Sequence, residues 1–200
     1  MNDSGIIRFT GGIASILIAL FVLTANLLDY INEPMIGTVV GKILLFSAHL
    51  LLIFVFVAVY EKHKEERGFL AGTGMILGVP GSVIVSALVF LEIASAAGVS
   101  VDSLQELSVI KIMSLTGIGL LVAAMFFLSL TIILGKVLSK WGGWLLILAL
   151  IVFIAGSFET EFSVTLMIIA AAFFFGGFFL TGVTLLRNNY GTDLFIRRTI

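Results

Sequence analysis

From Gly68 to Gly98 the chain runs through small and apolar residues, and Glu92 is the only acidic or basic side chain in that run. At about 1.5 Å rise per residue it is long enough, as a helix, to cross a hydrocarbon core of about 30 Å. In such a medium every backbone N–H and C=O must be satisfied within the segment, so the run is restricted to helix. Gly74, Gly78, Ser82 and Ser86 recur every fourth residue. They stack into a ridge of small side chains that a neighbouring helix can approach closely. Pro80 removes one backbone donor from the same run, which predicts a kink beside that seam.

The rest of the chain repeats this pattern. Apolar runs separated by short polar connections predict an all-α polytopic membrane protein with six transmembrane helices. Their approximate ranges are 11–28, 37–62, 69–97, 104–138, 141–158 and 162–186, forming a single bundle followed by a tail over 187–200. Composition agrees: 60% of residues are hydrophobic and 12% charged, about half the charged share of a soluble domain. The first run exceeds a signal-peptide core, and no small-x-small cleavage site precedes Asp29, so it is read as a span. In EKHKEERG, Lys62 and Glu66 stand at i,i+4 spacing and Gly68 is a natural helix stop. Ser103 and Glu106 fit a capping box for the fourth span. FETE reads as an acidic hairpin. The closing Leu194, Phe195 and Ile196 with Arg197 and Arg198 suit either an anionic leaflet surface or a solvated tail.

Positive charge sets the expected orientation. With the amino terminus inside, Arg8, Lys62, Lys64, Arg67, Lys136, Lys140, Arg187, Arg197 and Arg198 fall on the cytoplasmic side, leaving Lys42 and Lys111 outside. Asp29, Glu33, Asp102, Glu106, Glu159 and Glu161 fall on the outer side. The expectation is a plasma-membrane protein with both termini cytoplasmic and the lipid bilayer as its first partner. The nearly balanced totals, 11 Lys and Arg against 12 Asp and Glu, argue against a nucleic-acid partner.

Ionisable groups at membrane depth are expensive and therefore informative. Glu92 and Lys42 lie at similar depth on the third and second spans, which permits an ion pair between them. That pair is either structural or, with Asn26 and His49, part of the polar lining of an outward-facing pocket or pathway for an ion, proton or small polar ligand. His49 falls near the bilayer midplane, where a neutral imidazole needs a hydrogen-bond partner on a neighbouring helix. His63 is read as lying in a cytoplasmic loop. One histidine at depth supports neither haem nor zinc, and the chain has no cysteine. GxSxG and HExxH are absent. Glu65 and Glu66 form the pair used by intramembrane diglutamate metalloproteases, but Leu70 stands where that motif needs arginine. No catalytic residue, metal site or cofactor is expected.

IRFTGGIASILIAL in the first span, GMILGVPG in the third, IGLLVAAMFFLSLTIILGKVLSKWGGWLLILAL across the fourth and fifth, and GGFFLTGVTLL in the sixth resemble the uncharacterised six-helix integral membrane proteins of bacteria. That resemblance implies the fold and brings no activity with it. Two functions stand: a non-enzymatic accessory, sensing or immunity-type protein acting through helix packing on another membrane protein or a second copy, and a small transporter or channel subunit using Glu92 in a kinked third span.

Overall fold

The computed structural model describes residues 3–32, 38–158 and 163–196. Its elements are α1 (Asp3–Asn32), α2 (Val39–Ala96), α3 (Asp102–Gln105), α4 (Ser108–Leu134), α5 (Lys140–Gly156) and α6 (Ser163–Ile196), with no strand among the described residues. The Glu159–Glu161 hairpin and Arg197–Arg198 lie outside the described residues.

The second and third expected spans are joined in α2, which has 58 residues. Drawn straight it would be about 87 Å long at 1.5 Å per residue. Instead Lys42 Nζ lies 2.8 Å from Glu92 Oε2, and the rings of Phe46 and Phe90 stand 6.4 Å apart. Lys42 and Glu92 are equidistant along the chain from Arg67, as are the touching residues Phe56 and Gly78. Arg67 carries the break, with φ −142° and ψ 38°. α2 is therefore an antiparallel pair of helical limbs, 39–66 and 68–96. The break precedes Gly68 by one residue, and near the tip Lys64 Nζ lies 2.9 Å from Glu61 Oε1 while Glu66 stands as a charge partner of Lys62. At Pro80 the helical dihedrals continue, and its ring faces outward.

α1 packs on α2 and on α6, α2 on α4, α4 on α5, and α5 on α6. Six helical limbs thus close into a ring of alternating direction. Among the described residues no long helices on opposite sides of the ring bring Cα atoms within 8 Å at more than isolated points, so side chains alone occupy the middle. The seams are close because they are small. A Cβ on Gly182 would stand 2.7 Å from the Gly12 carbonyl, and nearby Ser15 Oγ donates to the Phe178 carbonyl at 2.7 Å. The small-residue ridge of the second limb serves two neighbours: Gly74 faces Leu128 of α4 and Gly78 faces Phe56 of the first limb, while Ser82 and Ser86 are buried. Gly81, outside that four-residue register, lies against the α4 backbone, where a Cβ would stand 2.9 Å from the Leu121 nitrogen.

The expected fourth span is divided. Ser103 lies inside α3, whose N-cap is Val101, and α4 begins after Leu107, so the capping box does not form. α4 ends at Leu134, where Gly135 turns to extended backbone with φ −75° and ψ 158°. α6 continues as helix to Ile196, past the expected boundary at 186. Phe69 (83% exposed), Leu115 (80%) and Trp141 (74%) project from the outer surface, while Ile18, Val55, Ile132 and Leu146 are sealed inside. Among the described residues four helices are long and apolar enough to cross a membrane, α2 among them, and α5 is a shorter apolar helix. With apolar side chains facing outward all round, these features mark a helical membrane protein.

Candidate functional site

The site begins at the connection between α1 and α2. Thr38 caps α2 from an extended backbone, and its Oγ1 accepts from the Gly41 N–H at 3.0 Å. Asp29, in the last turn of α1, accepts from the Thr38 N–H at 2.8 Å and from the Thr38 hydroxyl at 3.1 Å through Oδ1. A side chain on Gly41 would collide with that same oxygen, so glycine is what lets the carboxylate seat on the helix start. This clamp sets Lys42, whose Nζ is 2.8 Å from Glu92 Oε2 and 3.9 Å from Asp29 Oδ2. Two carboxylates therefore share one ammonium, tying α1 and both limbs of α2 together. Glu92 keeps 45% of its side chain exposed, against 18% for Lys42 and 19% for Asp29.

Inward of this cluster, between the limbs, lies a chamber of about 300 Å³. Asn26, His49 and Glu92 are in its wall, and all six limbs contribute apolar residues, including Ile18, Val85, Met125 and Phe174. His49 is satisfied within its own helix: Nδ1 lies 2.8 Å from the Leu45 carbonyl. The expected partner on a neighbouring helix is not needed. A carbonyl only accepts, so Nδ1 carries the proton and the neutral ring offers Nε2 as an acceptor. Asn26 likewise donates from Nδ2 to the Val22 carbonyl at 2.8 Å, leaving its amide oxygen as its acceptor. A second cavity of about 460 Å³ lies between the second limb and α4, lined by Glu92, Gln105, Lys111 and Ser114 among leucines and isoleucines. Glu92 and Ile118 line both cavities, so the two adjoin there.

Of the residues singled out from the sequence, Asn26, His49 and Glu92 meet in one chamber, and Lys42 reaches it through Glu92. Gly74, Gly78, Ser82, Ser86 and Pro80 are not in its wall. Ser86 Oγ donates to the Ser82 carbonyl at 2.8 Å, while Ser82 Oγ is buried without a hydrogen-bond partner. Asp29 is the site residue that sequence reading missed, taken there as an outer-loop acid. Its available signal was an acid at a helix end facing Thr38-x-x-Gly41 across a short connection. His63 is not in a loop. It is fully buried near the tip of the first limb, its Nδ1 3.0 Å from the Val59 carbonyl and its Nε2 unpartnered beside Gly135, where a Cβ would stand 2.5 Å away. No group of three His, Cys, Asp or Glu able to hold a metal occurs among the described residues.

Comparison of the chain with protein-family models, curated proteins and solved structures returns no match. The functional reading therefore rests on the chamber itself.

Proposed function

We propose that the protein is a small transporter or channel-type subunit whose ring of six helices, each crossing a bacterial-type plasma membrane, encloses a binding chamber for a small, mainly apolar molecule. The observation that carries this reading is the convergence of Asn26, His49 and Glu92 on one side of an otherwise apolar chamber of about 300 Å³, the composition of a ligand site with a few orienting polar groups. The six-span count is supported by the fold-back of α2 at Arg67 and by α5, whose 17 residues reach about 26 Å as helix. Antiparallel packing gathers Arg8, Lys62, Lys64, Arg67, Lys136, Lys140 and Arg187 at one end of the ring. That asymmetry supports cytoplasmic termini.

The ion pair of Glu92 with Lys42 at 2.8 Å favours a second reading, a packed accessory protein in which the pair only joins helices and the chamber stays unused. The chain lacks cysteine, so single cysteines separate the two. His49→Cys and, as a sealed control, Val55→Cys are exposed in intact cells to a small membrane-impermeant methanethiosulfonate. The chamber reading expects reaction at His49→Cys alone. No reaction at His49→Cys, with an outer-surface cysteine at Lys111→Cys labelling normally, removes the basis for ligand access and leaves the accessory reading.

A further inference from the structure

The chamber mouth is not charge-balanced. Asp29 and Glu92 are two carboxylates, and Lys42 is the one ammonium between them. Lys111 lines the adjoining outer cavity together with Glu92 and is not in the chamber wall. Among the described residues the cluster at the chamber mouth thus sets two carboxylates against one ammonium, Asp29 seated by Thr38 on the start of α2 and Glu92 half-exposed, and a net negative charge at membrane depth is costly. We infer that the chamber's ligand is an amphipathic organic monocation, its charge completing the Asp29–Lys42–Glu92 set and its apolar body lying among the aromatic and methionine side chains below. This rests on the chamber reading above and names its ligand class.

Three features carry it. First, a carboxylate offers about four lone-pair sites, and Lys42 Nζ, 2.8 Å from Glu92 Oε2, cannot fill them all, so the half-exposed carboxylate keeps room for a second cation. Lys42 is already shared with Asp29 at 3.9 Å, so it can lean toward Asp29 as the ligand takes up Glu92, and neither carboxylate is left bare. Second, the chamber wall holds Phe153, Phe174 and Phe178, whose rings are coupled at 6.4 and 6.2 Å between centroids, together with Met125 and Met167. Such surfaces attract both an apolar body and a positive charge. Third, His49 Nε2 and Asn26 Oδ1 are left there as acceptors, since His49 Nδ1 and one Asn26 N–H are engaged by carbonyls of their own helices. A bare metal ion fits poorly in a chamber so largely apolar, whereas about 300 Å³ lies at the small end of organic-ligand sites.

An isosteric pair isolates the charge: benzyltrimethylammonium and neopentylbenzene share a shape and differ in one atom and one charge. The full chain, labelled with carbon-13 in its methionine methyls and placed in lipid nanodiscs, is titrated with each. Of the six methionines, Met125 and Met167 report the chamber. The expected result is that the cation shifts both methyl signals with an affinity at least about tenfold above the neutral compound, and that Glu92→Gln erases that margin. Asp29→Asn, which leaves Lys42 and Glu92 as a balanced pair, reduces it as well, and serves if Glu92→Gln does not fold. If the neutral compound binds as well as the cation, or Glu92→Gln binds the cation unchanged, the cationic assignment is overturned while the chamber reading survives. If neither compound moves Met125 or Met167, the chamber reading fails and takes the inference with it.

Discussion

Replacing Gly81 with alanine adds one methyl group where the second limb of α2 lies against the backbone of α4. The new Cβ would lie 2.9 Å from the Leu121 backbone nitrogen, 3.2 Å from Leu120 Cβ and 3.3 Å from the Leu120 carbonyl carbon. Ordinary carbon contacts begin at about 3.5 Å, and two of these three atoms are backbone, so no side-chain rotation relieves the overlap. The helices must part by about half an ångström, which forfeits about a quarter of the contact energy of atoms along the seam. Overpacking of this kind costs about 1–3 kcal/mol. Alanine also gains about 1 kcal/mol over glycine in a helix interior, which hides part of the cost. Gly119→Ala supplies the correction: it lies on α4 with nothing within 4 Å of its Cβ position, so it carries the propensity gain alone. The difference between the two variants is therefore the packing term, about 1–3 kcal/mol. Reversible unfolding in mixed micelles, followed by circular dichroism against detergent fraction, measures it. Equal stability of Gly81→Ala and Gly119→Ala would refute the close approach of these two helices.

Other consequences follow from the same geometry. Cysteines replacing Phe46 and Phe90, whose rings are 6.4 Å apart, are expected to join through a short bifunctional thiol reagent, while Phe46 with Phe69 at the tip is not; the reverse pattern on a mobility gel contradicts the fold-back at Arg67. Lys42→Met leaves Asp29 and Glu92 without their ammonium and should cost about 1–3 kcal/mol, below the full penalty of a sealed pair because Glu92 is half-exposed. Adding Glu92→Gln to Lys42→Met should recover part of that loss in the same unfolding assay. Ser15→Ala removes the bond from α1 to the Phe178 carbonyl of α6 and should cost about 0.6–1 kcal/mol. Ser129→Ala, whose bond stays within its own helix at Met125, should cost less.

The elements were legible because membrane burial imposes a simple rule: long apolar runs become helices wherever they pack. The pairing of Lys42 with Glu92 was legible for a related reason, since two charges at equal depth on consecutive spans have few other partners. Asp29 was not, because its role depends on Gly41 lacking a side chain and on the path of a short connection, neither of which has a period. His63 stood in a run of charges and read as solvated, yet Gly135, far along the chain, leaves the space that buries it. The ridge of Gly74, Gly78, Ser82 and Ser86 was visible through its spacing. Gly81 was not, because the face a glycine presents depends on where α4 lies. The chamber is a property of all six limbs at once, and no single stretch of sequence encodes it.

A largely apolar chamber inside the ring, able to receive a small molecule, should also take up an inert apolar probe. Xenon occupies apolar cavities of this kind without needing a polar partner, so diffraction from xenon-pressurised crystals detects such a chamber. Anomalous density is expected inside the ring, between Ile18, Val85, Met125 and Phe174. Xenon found only at the outer surface, with side chains closed across that volume, would contradict it.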